Sequence, residues 1–104
     1  MEYSAGLEEG PPRVLRVTGS LDSTTAADFA YRLGSASRGG VHPLVVDLRD
    51  VDVLASAAVS VLFAARESHA VHGSPMTLVA VPGSLAAQVL ALVGLGHRTD
   101  TSAG

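Results

Sequence analysis

The residue with the most distinctive chemical position in this 104-residue chain is Ser56. It follows a mostly apolar segment and precedes Ala57–Ala65, in which every residue except Ser60 is apolar. A serine at this boundary is typical of a helix N-cap, and Gly73 is typical of a helix end, so we predict a helix over about 57–72. Because the free amides and dipole of a helix start favour anions, a phosphate on Ser56 would be stabilised there. The alternative is that Ser56 only caps the helix.

Two aspartates and two histidines are the other candidates for chemistry. Asp22 lies in a polar loop, where its type and position favour hydrogen bonds to local turn amides. Asp47 ends an apolar run, and we expect it to accept from amides of the following turn. His69 and His72 are three residues apart and could hold a metal, but no carboxylate pair accompanies them. Solvated histidines at a helix end are therefore the preferred interpretation.

Enzyme signatures are missing from the sequence. It contains no cysteine and no GxSxG, HExxH, P-loop or GxGxxG motif, so we predict no catalytic activity, no metal and no cofactor. The net charge is −3 and the seven basic residues, all arginines, are scattered, which argues against a nucleic-acid surface. The acidic N-terminus lacks the apolar core of a signal peptide, and Val53–Ala65 is too short to span a bilayer. We therefore predict a cytoplasmic protein that does not bind membranes.

The elements that must position Ser56 alternate between strands and helices. This alternation predicts an α/β sandwich, with a mixed, mostly parallel sheet of four or five strands and about three or four helices. The strands are predicted at Arg13–Thr18, ended by Gly19, at Leu44–Asp47 and at Met76–Val81, with a polar turn at 49–52. A further helix is predicted at Ala26–Ser37, with a Thr25/Asp28 capping box and an apolar stripe of Ala26, Phe29, Ala30 and Leu33. Another is predicted at Leu85–Val93, with Ser84 as cap and an apolar face of Leu85, Val89, Leu92, Leu90 and Val93.

Two motifs and a shorter match give the chain a resemblance to a known family. The first motif contains Asp47-Leu48, Val51 and Val53-Leu54, followed by Ala55-Ser56-Ala57-Ala58-Val59. The second motif has Gly19, Leu21, Asp22, Thr25 and Ala26, and the shorter match is Gly94-Leu95. Together they resemble the STAS domain of anti-sigma factor antagonists over about 14–95. The phosphorylation-site signature is degenerate, because alanines stand at 55, 57 and 58 where the family has Asp, a second hydroxyl residue and Gly.

The resemblance implies a function and a set of site residues. In the family, the serine at the position of Ser56 is the phosphoacceptor, and the loop containing Asp22 lies beside it and contacts the partner. The implied partner is an anti-sigma factor with serine kinase activity, whose binding is blocked once Ser56 is phosphorylated. The implied partner-binding residues are Asp22, Ser23, Ala55, Ser56, Ala57, Ala58, Val59 and Phe63.

The apolar start of the central helix has two interpretations. Its apolar residues are too many for one stripe, so the helix is either deeply buried or presents Val59 and Phe63 as a partly exposed docking face.

The ends of the chain are predicted from composition and from the resemblance. Residues 1–12 are expected to form an edge strand or a disordered segment, 13–100 a single domain, and 101–104 a tail. Family members usually continue into another strand and a closing helix, whereas here His97–Asp100 allows only a short edge strand. Self-association as a homodimer, or a core that needs no closing helix, would accommodate this difference.

Three functional hypotheses follow. The first is the phosphorylation-controlled antagonist. The second is a degenerate STAS scaffold or interaction module that has lost the switch, which the alanines at 55, 57 and 58 favour. The third is a small-ligand-binding STAS module, which no residue cluster in the sequence supports.

Overall fold

A computed structural model describes residues 2–99 as one mixed sheet with helices in the connections. The elements, in chain order, are β1 (Ser4–Glu8), β2 (Arg13–Leu21), α1 (Ala26–Ser37), β3 (Leu44–Leu54), α2 (Ser56–Val71), β4 (Met76–Val79) and α3 (Leu85–Val93). The strand order is β1-β2-β3-β4, with β1 antiparallel to β2 and the other pairs parallel. The predicted α/β fold class with a mixed, mostly parallel sheet is confirmed. No helix among residues 2–99 is both long and apolar enough to cross a membrane.

The N-terminal segment is predicted to be either an edge strand or disordered, and it contains the edge strand β1. β1 pairs with β2 from Ser4↔Thr18 to Glu8↔Val14. Just before β1, the Tyr3 hydroxyl donates a 2.6 Å hydrogen bond to Asp28 on α1 and packs against the core. These contacts tie the segment to the domain. The proposed tail at 101–104 lies outside the described residues, and the domain boundaries stay predictions.

Both central strands are longer than predicted. β2 continues through Gly19, which has φ +87°, because a glycine tolerates this conformation and a Cβ there would overlap the backbone carbonyl of Glu2. β3 continues through residues 49–52, so the predicted polar turn is wrong. The register between β2 and β3 shifts twice, and these irregularities accommodate the polar residues while the two strands stay paired. Asp47 therefore lies inside β3 and not at a strand end.

The main core lies between one face of the sheet and the helices. Phe29 and Leu33 of α1, Leu62 of α2 and Leu90 of α3 are at most 3% exposed and pack with apolar residues of the strands. Ala26 of the predicted α1 stripe is also buried, whereas Ala30 is exposed. The Thr25 side chain makes no capping hydrogen bond, so the predicted capping box does not form.

The two later helices confirm their predicted caps at one end each. In α2, the Gly73 N–H bonds to the Ala70 carbonyl and the Ser74 N–H to the His69 carbonyl, which is a Schellman motif with Gly73 at C′. In α3, the Ser84 hydroxyl accepts from the Ala87 N–H at 3.1 Å. α3 therefore has the boundaries that its flanking residues predict, whereas α2 is predicted over about 57–72 and is observed at Ser56–Val71.

The buried face of α3 differs from the predicted one. The buried residues are Ala86, Ala87 and Leu90, while Leu85 and Leu92 are 50% and 86% exposed. Leu90 packs in the main core with these two alanines, and the other two leucines of the helix are left outside. β4 is shorter than predicted, ending at Val79, and the predicted edge strand after α3 is reduced to a single bridge between Val79 and Arg98.

Candidate functional site

The candidate site forms where β2 and β3 end side by side. Leu21 and Leu54 are register partners, and the first residue after β3, Ala55, donates its N–H to the Leu21 carbonyl at 2.8 Å. The residues that follow each strand, Asp22 and Ser56, are thereby held at the same edge of the sheet. Loops at the carboxyl ends of parallel strands are the expected location of ligand and partner sites in α/β folds.

The Asp22 loop is held by its own hydroxyl residues. Asp22 Oδ1 accepts from the Thr24 backbone N–H at 2.9 Å and from its hydroxyl at 2.6 Å. The Thr25 hydroxyl accepts from the Asp22 N–H at 3.0 Å and donates to the Ser20 carbonyl at 2.9 Å. The hydrogen bonds from Thr24 hold the pKa of the Asp22 carboxyl below its usual range. The carboxylate is therefore ionised and fixed in orientation at neutral pH.

Ser56 is not the N-cap that the sequence predicts. Ala55 occupies that position, with extended φ −86° and ψ 167°, and its carbonyl accepts from the N–H groups of Ala58 and Val59. Ser56 is the first helical residue and is exposed. The N-cap moves by one residue because the β2–β3 ladder continues through the Ala55 N–H, which leaves Ala55 extended.

Among the described residues, no side chain caps the start of α2. Alanine at the N-cap offers no acceptor, no side-chain cap forms and the first turn contains no acidic residue. This helix end therefore carries partial positive charge that no residue of its first turn offsets, directly beside an exposed serine hydroxyl. An anionic group on Ser56 is the chemistry that this arrangement favours.

The other residues predicted to contact a partner divide into surface and core. Ser23 is exposed, and Asp22, Ala55, Ala57 and Phe63 are partly buried. Ala58 and Val59 are 0% and 9% exposed, so they pack in the core and offer a partner protein almost no contact area. Of the two interpretations of the helix start, burial holds for Val59, and of the docking pair in the other interpretation only Phe63 reaches the surface, with the Arg66 guanidinium 5.6 Å from its ring centroid.

Sequence reasoning missed several residues that shape the site. Thr24 fixes Asp22, and an aspartate two residues before a threonine is a turn pattern that could have indicated it. The Ser20 hydroxyl donates to Asp52 Oδ1 at 3.0 Å, across the two strands just before their ends. That contact depends on the strand register and has no signal in the local sequence.

Asp47 pairs with arginines of β2 and β3 and lies inside the sheet, away from the edge that carries Asp22 and Ser56. It is 1% exposed. Its Oδ2 atom lies 3.1 Å from Arg16 Nη1 and 2.9 Å from Arg49 Nη2, while Oδ1 accepts from the Arg49 backbone N–H at 3.0 Å. Burial raises the pKa of the Asp47 carboxyl, but the hydrogen bonds from Arg49 and the charge of Arg16 outweigh it and leave the pKa lowered.

The two histidines of α2 differ in exposure. His69 is 3% exposed, which corrects the prediction of a solvated residue, whereas His72 is exposed and its Nδ1 lies 3.0 Å from the Ser68 carbonyl. At His69, two other segments approach α2: a Cβ at Gly40 would lie 2.8 Å from the His69 backbone N, and the Ser74 N–H bonds to the His69 carbonyl. Residues 2–99 contain no group of three or more His, Cys, Asp or Glu residues that could hold a metal ion.

Comparison with known proteins assigns the family. A family model described as "Mlab, STAS domain" matches residues 7–99, which is most of the chain. The protein therefore belongs to the STAS domain family, as the sequence motifs predicted.

Solved structures agree with this assignment. An anti-sigma factor antagonist from Mycobacterium paratuberculosis is 21% identical with a TM-score of 0.82, over 96% of this chain and 88% of that one. The Bacillus cell fate determinant SpoIIAA in its phosphorylated form is 17% identical with a TM-score of 0.72, over 96% and 93%. An antisigma-factor antagonist STAS domain from Rhodobacter sphaeroides is 20% identical with a TM-score of 0.58, over 74% and 85%. At such identities the structures establish a shared fold.

Proposed function

We propose that this protein is an anti-sigma factor antagonist that binds an anti-sigma factor with serine kinase activity, and that phosphorylation of Ser56 ends the binding. The observation that carries the proposal is the exposed Ser56 hydroxyl at the uncapped start of α2, at the same sheet edge as Asp22. The likeness to antagonists, one of them in a phosphorylated form, supports the same class. The proposal places the protein in the cytoplasm, where such partners act.

The switch acts through charge at the contact surface. The kinase transfers the γ-phosphoryl group of ATP to Ser56 Oγ: the new O–P bond replaces the bond to ADP, and the hydroxyl proton is released. The phosphoserine carries about −1.5 to −2 charge at neutral pH. The amides at the start of α2 stabilise it within the protein, while it adds to the negative charge of Asp22 on the surface. The phosphate repels a partner whose surface fits the neutral serine, and the two proteins no longer pack closely at this site.

The decisive experiment combines phosphorylation with binding. Each anti-sigma factor kinase encoded in the source genome is incubated with the protein, Mg²⁺ and ATP, and the modified residue is located by mass spectrometry. We expect one added phosphate at Ser56, none in Ser56→Ala, and normal modification of Ser60→Ala, which changes another exposed serine of the same helix. Modification elsewhere, or none with any of the kinases, contradicts the proposed switch.

Binding to the kinase that modifies Ser56 is then measured without ATP. We expect Ser56→Asp to weaken binding at least tenfold and Ser60→Asp to change it less than threefold, since every 1.4 kcal/mol corresponds to tenfold in affinity.

A constitutive interaction module is the second candidate, and the start of α2 favours it in one respect. Ala55 and Ala57 provide neither the carboxylate nor the second hydroxyl of the family signature, and Ala58 fills a buried position where the family has glycine. Such a module would bind its partner equally well with Ser56→Asp, so the same binding measurement separates the two candidates.

A further inference from the structure

The last described helix, α3, has a second apolar face that points away from the core. Leu90 is fully buried, whereas Leu85 and Leu92 are 50% and 86% exposed, and Val89 between them is partly buried. Positions 85, 89 and 92 are spaced by four and then three residues, which is the spacing of the seam along which two helices pack. These three residues, here called the α3 seam, therefore form one apolar stripe at the surface.

The surface around the α3 seam carries no charge. No Asp, Glu, Lys, Arg or His occurs between His72 and His97, so β4, α3 and the residues that connect them are uncharged. Val81 before the helix and Val93 at its end are 43% and 37% exposed, and they widen the apolar surface. A partner can therefore cover this surface without removing water from a charged group.

The lack of charge also indicates which kind of partner fits. Nucleic acids and anionic membranes are held through Lys and Arg, and helices that lie on a membrane carry these residues beside their apolar face. A protein surface that binds through ion pairs would find no group to pair with on α3. The fitting partner surface is therefore itself apolar and uncharged.

A second copy of this chain provides such a surface. The α3 seam has the order Leu–Val–Leu from either end, so it matches an antiparallel copy of itself. A two-fold axis between the helices places Leu85 of each chain against the partner's Leu92, with the two Val89 side chains near the axis. Because each chain has a net charge of −3, contact through an uncharged surface also keeps the acidic groups of the two copies apart.

We propose that the α3 seam is the contact surface of a symmetric, antiparallel homodimer. Its two leucines, with Val81 and Val93, offer roughly 400 Å² per copy, about half of the 800 Å² per partner in a standard interface. The dimer is therefore weak and reversible, with a dissociation constant on the order of 100 μM. The seam lies on a different helix from Ser56, so self-association does not require the proposed phosphorylation.

The test is sedimentation equilibrium of the full chain, at concentrations from about tenfold below to about tenfold above that dissociation constant. We expect the average mass to rise from that of the 10.6 kDa monomer towards twice that value. Leu92→Glu should weaken the association at least tenfold, because it places a carboxylate in an apolar contact. Val71→Glu, which adds the same charge at an 81% exposed position of α2, is the matched control and should leave the association unchanged.

Crosslinking tests the antiparallel arrangement. The chain contains no cysteine, so Leu85→Cys and Leu92→Cys each introduce a single thiol at an exposed position. A mixture of the two variants should form an intermolecular disulfide faster than either variant alone, because only unlike positions face each other. The proposal is overturned by a chain that stays monomeric, whether or not it binds phosphatidylcholine vesicles, by equal effects of Leu92→Glu and Val71→Glu, or by crosslinking of either variant alone as fast as the mixture.

Discussion

The backbone N–H of Ala55 donates to the carbonyl of Leu21 at 2.8 Å, one residue beyond the last register pair of β2 and β3. This bond sets the position of Ser56 relative to Asp22 through the main chain alone. The alanines at 55, 57 and 58 that depart from the family signature therefore leave the serine in place. What they remove is side-chain capping at the start of α2.

Ala55→Asp should stabilise the protein by about 1 kcal/mol, because an N-cap carboxylate accepts from free amides and interacts favourably with the helix dipole. The measurement is the free energy of unfolding from urea titration at pH 7. Ala70→Asp, in the last turn of the same helix, should be neutral or slightly destabilising. Equal effects of the two substitutions would mean that the start of α2 is not short of a cap.

Asp47→Asn should lower the free energy of unfolding by about 2 kcal/mol, because it removes the charge that two arginines share in a buried position. The loss stays below that of a fully buried pair, since Arg16 and Arg49 keep side-chain exposures of 39% and 33%. The control is Asp50→Asn, an exposed aspartate of the same strand. A loss below 0.5 kcal/mol, within the usual range for surface substitutions, would show that the cluster contributes little.

The same cluster predicts sensitivity to acid. The pKa of Asp47 is lowered in the folded protein, so its stabilisation is fully present above the unfolded value near pH 4 and is lost as the pH falls through the lower folded value. Asp47→Asn should therefore lose less stability than the wild type between pH 5 and pH 2. Parallel pH profiles would contradict the lowered pKa.

His69 predicts a second, milder pH dependence. Its folded pKa is lowered by burial, so the unfolded chain binds more protons and stability falls as the pH drops below about 6.5. Comparing unfolding free energies at pH 7.5 and 5.5 should show a decrease that His69→Leu removes. His72→Gln, three residues on and exposed, should retain it. A wild-type profile that is flat in this range would show that His69 is accessible to protons when folded.

Alanine substitutions at two glycines, Gly34 on α1 and Gly40 in the loop after it, should change the stability of the protein in opposite directions. Gly34→Ala should stabilise by about 0.5–1 kcal/mol, because the site is helical and a Cβ there meets nothing within 4 Å. Gly40→Ala should destabilise by more than 2 kcal/mol, since φ is +93° and the Cβ would overlap the backbone at Ser68. Thermal melts of both variants, calibrated by urea titration, provide the measurement. Similar melting temperatures for the two would contradict the close contact between this loop and α2.

The sequence allowed the fold class, the boundaries of α1 and α3, the position of Gly73 and the meeting of the Asp22 and Ser56 loops to be predicted. Each depends on a local pattern or on a motif whose residues are adjacent in the chain. The extent of β3 was missed because 49–52 has the composition of a turn, while long-range pairing with β2 holds it extended. The N-cap at Ala55 was missed for the same reason, since the Ala55 N–H is held by a distant acceptor, the Leu21 carbonyl, and this bond keeps Ala55 extended.

The burial of individual helix residues was harder to predict. α3 is apolar except for Gln88, so its periodicity could not identify the face that packs, and the structure buries Ala86 and Ala87 with Leu90 and exposes Leu92. His69 is polar and lies near a helix end, a pattern typical of solvated residues, yet it is buried where the loop after α1 contacts α2. In both cases the outcome depends on how closely distant segments approach.

The strand order β1-β2-β3-β4 also bears on how the protein is made. Each strand pairs with the one synthesised immediately before it, so a chain emerging from the ribosome always finds its pairing edge already completed. No strand has to be inserted between two others. The sheet can therefore grow in the direction of translation, from the β1–β2 hairpin outward, with α1 and α2 covering the newly added strands in turn.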